Sequence, residues 1–213
     1  AGITPSLLEQ TCARVSTGQF LALVCMVRDQ LNDEGVGLFQ RKLRRGSVAL
    51  MAESALLGKS LPHAIERLCR TFNLLQDDAR FVFNPGEDHW QIEMVFESQD
   101  LLANVFAHEV MVCVIWRMLT WLHGARLRGT TFELALAPPA HAGEYTRLLP
   151  VRIHFERAHT SITFNAPGAA YVWRKDRLDA GAFIASMPGV LVAPQRLDRS
   201  MSARVRALLL KSR

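Results

Sequence analysis

The sequence places no two cysteines close enough together to share a metal or form a redox pair. Cys12, Cys25, Cys69 and Cys113 are scattered through apolar stretches, where free cysteine behaves as a small buried hydrophobe. That usage predicts reduced thiols in a cytoplasmic protein rather than a disulfide framework. Long apolar runs are missing too. The strongest, "VMVCVIW" at 110–116, is followed at once by Arg117. It is too short to span a bilayer, which takes about 20 apolar residues, so it reads as a buried core helix and no membrane partner is expected. There is no Gly-x-Ser-x-Gly, no His-Glu-x-x-His and no Gly-x-Gly-x-x-Gly, which leaves nucleophilic, metallic and dinucleotide chemistry unsupported. "LLGKS" at 56–60 ends like a phosphate-binding loop, but position 53 is Glu53 where that loop requires its first glycine. His154 and His159 stand without a cysteine pair or acidic cluster, and read as surface or turn residues rather than zinc ligands. No cofactor, no metal and no enzymatic activity are expected.

Charge of one sign is scarce over most of the chain. Residues 194–213 hold six basic side chains and one acid, leaving 19 basic and 19 acidic residues elsewhere. The excess of +5 therefore belongs to the tail, and the body carries no overall nucleic-acid signature. The local exception, "RKLRR" at 41–45, reads as a solvated turn between helices. The chain starts at Ala1 without an initiator Met and stops within a basic helical phrase, so it is expected to be a piece of a longer protein.

What is present is an ordinary apolar content, 49% of 213 residues, enough for one sizeable core. Up to about residue 75 the pattern is helical. Pro5 suits a first turn. Phe20, Leu23, Val24, Val27 and Leu31 recur at helical spacing, and "GVGLF" then breaks the pattern. Ser60 is a candidate N-cap ahead of the stripe Leu61, Ile65, Leu68, Phe72 and Leu75. After Asp78 the period changes to two. "ARFVFNPGEDHWQIEMVFES" predicts two strands joined at residues 85–88, with Trp90, Ile92, Met94 and Phe96 on one face. A central helix over 101–123 follows, stopped by Gly124. Strands are expected at 130–137, 151–155 and 160–165, with short helices at 141–149 and 178–188. This predicts an α+β fold: N-terminal helices, then a twisted, mainly antiparallel sheet packed on a long central helix.

One ordered set of phrases is less generic: Trp121-Leu122-His123-Gly124, Pro138-Pro139, Glu144-Tyr145, Ile153, Phe155 and Phe164. With the opening helices, "RLCRTFNLL" and "RKDRLDAGAFIASMPGVLV", it resembles the N-terminal, arabinose-binding-like regulatory domain of AraC/XylS-type transcription regulators. Leu149-Pro150-Val151-Arg152 and Tyr171-Val172-Trp173-Arg174 depart from the family pattern. The resemblance implies an effector-sensing domain over 1–197, with 198–213 starting a linker helix to a C-terminal helix-turn-helix DNA-binding domain that the chain lacks. It implies a bacterial protein whose partners are an unknown small-molecule effector, DNA through that missing domain, and a second copy in a homodimer. A purely dimerising domain without a ligand, and a small hydrolase-like enzyme, are the alternatives. The expected ligand site lies between the central helix and the strand Trp90–Phe96, with His108, Glu109, Trp116 and Trp90 as its residues, because buried polar groups need partners. A closed core there is the competing expectation.

Overall fold

The computed structural model describes residues 2–10, 13–145, 149, 151–168, 171–173, 175–187 and 189. The basic tail 198–213, Cys12, Pro150 and Arg174 lie outside them. Helices α1 (Pro5–Leu8), α2 (Thr17–Leu31), α3 (Ser47–Leu56) and α4 (Leu61–Leu75) come first. A capping box starts α2: the Ser16 hydroxyl accepts from the Gln19 N–H, and the Gln19 side chain accepts from the Ser16 N–H. Asn32 ends it in the left-handed conformation, φ 51°. Ser60 caps α4 as the sequence predicts, accepting from the His63 N–H. The "LLGKS" phrase is the corner between α3 and α4. A Cβ on Gly58 would sit 2.8 Å from the Ala64 backbone, so the close approach requires glycine. Leu61, Ile65, Leu68 and Phe72 of α4 are buried.

Strands β1 (Ala79–Pro85), β2 (His89–Phe96), β3 (Thr131–Glu133), β4 (Arg152–His154) and β5 (Thr160–Asn165) form one sheet in the order β1-β2-β5-β3-β4. The β3–β4 pair is parallel and the other pairings are antiparallel. Ile92 stands opposite Ile162, and both are fully buried, as Met94 nearly is. The strand expected over 130–137 is reduced to three residues. Beyond Glu133 the regular ladder gives way to separate bonds, among them Leu134 N–H to the His154 carbonyl, Arg157 N–H to the Leu134 carbonyl and Glu156 N–H to the Leu136 carbonyl. Pro138 and Pro139, which have no N–H to donate, follow.

The expected central helix is two helices, α5 (Gln99–Ala103) and α6 (Val105–His123). Asn104 divides them: its backbone is extended and its side chain accepts from the Ala107 N–H, so it caps α6. Gly124 closes α6 at φ 74°. "VMVCVIW" is thus the middle of a 19-residue helix that is long and apolar enough to cross a membrane by length and composition. Nine of its residues are instead buried in the protein's own core, among them Met111, Val112, Ile115, Trp116 and Leu119. Two side chains from beyond the sheet serve its last turn. Trp173 Nε1–H donates to the Leu122 carbonyl at 2.8 Å, and the Tyr171 hydroxyl donates to the His123 carbonyl at 2.7 Å. Helix-end carbonyls have no partner within the helix, so these bonds fasten the following segment to it. Helix α7 (Ala180–Ser186) comes next, capped by Asp179. Phe183 of α7 stacks on Trp121 of α6 at 4.5 Å.

The fold is α+β with a mainly antiparallel sheet, as the sequence predicts. Cys25, Cys69 and Cys113 are free thiols. Burial pushes Cys69 and Cys113 up to about 12, which leaves them protonated and unreactive near neutral pH.

Candidate functional site

A cavity of about 170 Å³ lies where α2, α6 and α7 approach one another. Val24 and Cys25 of α2 form one wall, Val110 and Val114 of α6 another, and Ile184 and Met187 a third. Phe72 of α4 and Phe81 of β1 close it from the core side. The gap has a local cause. Helix α2 carries apolar residues at helical spacing, yet none of its residues is buried. Its stripe stands off the core rather than packing into it.

The loop that roofs the cavity is built on two carboxylates. Asp33 is wholly buried. Its Oδ1 accepts from the N–H groups of Gly35 and Leu43, and its Oδ2 from that of Gly37, each at 2.9 Å. Glu34 accepts from the N–H of Gly46 at 2.9 Å and of Val48 at 2.7 Å. It thereby caps α3 from a distance, because the N-cap residue Gly46 has no side chain to do so. A Cβ on Gly35 would lie 2.7 Å from the Phe39 ring, so only glycine fits under it. Val36, which lines the cavity, sits at φ 48°. That is strained for a β-branched residue, and such strain gathers at ligand clamps and switch segments.

Arg28 and Glu34 are the charged side chains among the described lining residues. Both are already engaged. Arg28 donates to Asp29 Oδ1 through Nε and Nη2 at 2.8 Å. The bond to Asp29 holds the guanidinium above its ordinary value, and the bond from Arg28 holds the Asp29 carboxyl below its own. The predicted solvated turn at 41–45 lies alongside. Arg45 is 3.5 Å from Asp29 and Arg41 3.0 Å from Asp77, while Leu43 alone of the five is buried.

The four residues expected to bind ligand have separate sets of neighbours. His108 is fully buried and satisfied: Nε2 is 3.0 Å from the Leu102 carbonyl and Nδ1 2.6 Å from Thr160 Oγ1. A carbonyl only accepts, which assigns the proton to Nε2 and makes Nδ1 the acceptor of the Thr160 hydroxyl. Burial lowers the pKa of His108, favouring this neutral form. Glu109 faces another way, taking bonds from His141 at 2.6 Å and from the Tyr145 hydroxyl. Burial first, and the Glu109 carboxylate second, push the Tyr145 phenol upward. Trp90 packs edge-on against Phe83 and Phe164. Trp116 meets Phe132 edge-on at 5.5 Å and borders a second hollow of about 700 Å³, wider and more polar, with Arg126, Arg128 and Arg152 around it. His108, Glu109 and Trp90 line neither space. No group of three or more His, Cys, Asp or Glu side chains with metal-holding geometry occurs among the described residues.

Sequence reasoning missed Asp33, Glu34 and the α7 wall. The signal available was modest: an acidic pair between Asn32 and the "GVGLF" break. A family model described as the arabinose-binding domain of AraC transcription regulator, N-terminal, matches residues 1–171. No curated protein matches the chain. The family match takes in α2, the carboxylate-built loop and α6, and stops at Tyr171, ahead of α7.

Proposed function

Because the chain belongs to the family of N-terminal arabinose-binding domains of AraC transcription regulators, we propose that it senses a small effector in the cavity between α2, α6 and α7. In this reading the binding event biases a DNA-binding domain attached on the C-terminal side, and the whole regulator acts on DNA in the bacterial cytoplasm. The family is one of ligand-binding regulatory domains rather than enzymes.

The observation that carries the reading is the composition of the cavity wall. Ile184 and Met187 line the cavity, and the basic segment 198–213 begins 11 residues after Met187. A ligand touching α7 therefore touches the part of the domain nearest in sequence to that segment. Helix α7 is also fastened to the end of α6 through Trp173, Tyr171 and the Trp121–Phe183 stack. A ligand that held α2 closer to α6 and α7 would bind one arrangement of these helices better than another. Unequal affinity for two states is the whole thermodynamic content of effector control.

The test is made in the intact regulator. Val114→Phe places a ring in the cavity from α6, and Val24→Phe does so from α2. Promoter output from a reporter is measured with and without effector. The expected result is loss of the response in both variants with the fold retained. An unchanged response in folded variants would remove the cavity from the sensing pathway.

A further inference from the structure

We infer that the cavity takes a neutral, apolar ligand about the size of one aromatic ring, and not a sugar, whatever the family's name. The inference rests on the effector reading of the same cavity and concerns the chemical class it admits. Three observations carry it: size, lining and the state of the charged groups at its edge.

The volume is about 170 Å³. An apolar cavity of about 150 Å³ stays dry and accepts benzene, so a single ring or a short branched hydrocarbon fills this one. The walls are valine, leucine, isoleucine, methionine and phenylalanine side chains, with Cys25, Arg28 and Glu34 as the polar members. A pentose brings several hydroxyls that must all find partners once out of water. Each buried hydroxyl left without one costs about tenfold in affinity or more. Glu34 is bound to two backbone N–H groups that hold the start of α3. Arg28 is paired with Asp29. Both are engaged within the protein, so neither demands a countercharge from the ligand.

The roof is suited to such a ligand. Val36 is held at a positive φ by a loop whose amides Asp33 engages on either side of it. The Val36 side chain is thereby presented to the cavity. On the opposite wall α2 has apolar side chains that no other element buries completely. A hydrophobic ligand supplies the surface that α2 lacks, and burial of that surface is the driving force for binding.

The experiment uses the full chain with benzene and L-arabinose as separate probes, read by thermal unfolding in the wild type, Val114→Phe and Val24→Phe. At tenfold above its Kd, benzene is expected to raise Tm by about 3–6 °C. Either filled variant that melts cooperatively loses the rise, and arabinose produces none. Methyl spectra of the wild type locate the ligand without any substitution, through shifts at Val24, Val114 and Ile184. Absence of a benzene effect, an equal effect in folded filled variants, or shifts confined to other methyls each overturns the inference. An arabinose effect abolished by filling the cavity also overturns it, yet leaves the sensing reading standing. Conversely, benzene binding that the variants abolish upholds the ligand class even where promoter output does not respond, an outcome that would remove the sensing reading alone.

Discussion

Helix α6 turns His108 and Trp116 toward the sheet and Val110 and Val114 toward α2, and the two sides are finished differently. Toward the sheet, Trp116 meets Phe132 edge-on, and Phe132, Ile162 and Phe164 are wholly buried. A polar relay is closed there as well: the Ala135 N–H donates to Thr160 Oγ1, the Thr160 hydroxyl faces His108 Nδ1, and His108 Nε2 faces the Leu102 carbonyl. Toward α2 the same helix meets a void and a neighbour with no buried residue. Apart from the polar hollow beside Trp116, the sheet side is filled by wholly buried side chains. The other keeps room for a guest. The contrast teaches that a helix apolar nearly all round need not be sealed all round, and that the unsealed side is where a ligand can add burial.

Substitutions that strike the two sides unequally break or sharpen this contrast. The largest effect is expected at Phe132→Ala, a loss of about 3–5 kcal/mol, because the sheet side is too well packed to collapse into the hole. Urea denaturation measures it, and a loss below about 1 kcal/mol would mean that the sheet side is as loose as the α2 side. Next comes Asp33→Ala, about 2–4 kcal/mol, since three amide donors around a buried carboxylate lose their acceptor together. Faster amide exchange confined to Gly35, Gly37 and Leu43 would show that the loop opens as a unit.

A smaller, pH-dependent effect belongs to the sheet side. His108 is depressed by burial in the folded chain, and so is His123 at the end of α6. Unfolded histidine titrates near pH ~6.5. Below that value the unfolded chain takes up protons that the folded chain refuses, so stability is fully present above pH ~6.5 and falls as pH drops from there toward the lower folded pKa. Thermal melts from pH 8 to pH 5 should show the decline, and His108→Gln should flatten part of it, His123 retaining the rest. The smallest effect is expected at Leu23→Ala on α2, under about 1 kcal/mol, because a half-buried side chain on a helix with no buried residue removes little packing. A cost equal to that of Phe132→Ala would erase the distinction between the two sides.

Much of the fold was legible in the sequence because its signals are local. Ser60 capping α4, Gly124 ending α6 and the change to period two at β1 depend on residues a few positions apart. The break at Asn104 was also local, an N-cap residue inside an apolar stretch, but the apolar pattern on both sides of it outweighed the cap. Tyr171 and Trp173 stood out only as departures from a family pattern. Their role, donating to carbonyls about 50 residues earlier in the chain, has no signature at either end.

The sequence by itself determined the element types, the inward face of β2, the neutral body with its basic tail, and the family resemblance. Each of these is written in neighbouring side chains or in an ordered set of phrases. Tertiary structure alone decided that His108 is a satisfied core residue, that Glu109 turns to His141 and Tyr145, and that the cavity lies against α2 and α7. The reason is physical. A void is not a property of any residue, but of the distance at which distant elements stop approaching. Here that distance is set by side chains from α2, the 33–43 loop, α3, α4, β1, α6 and the α7 segment together, and no periodicity along one of them reports it.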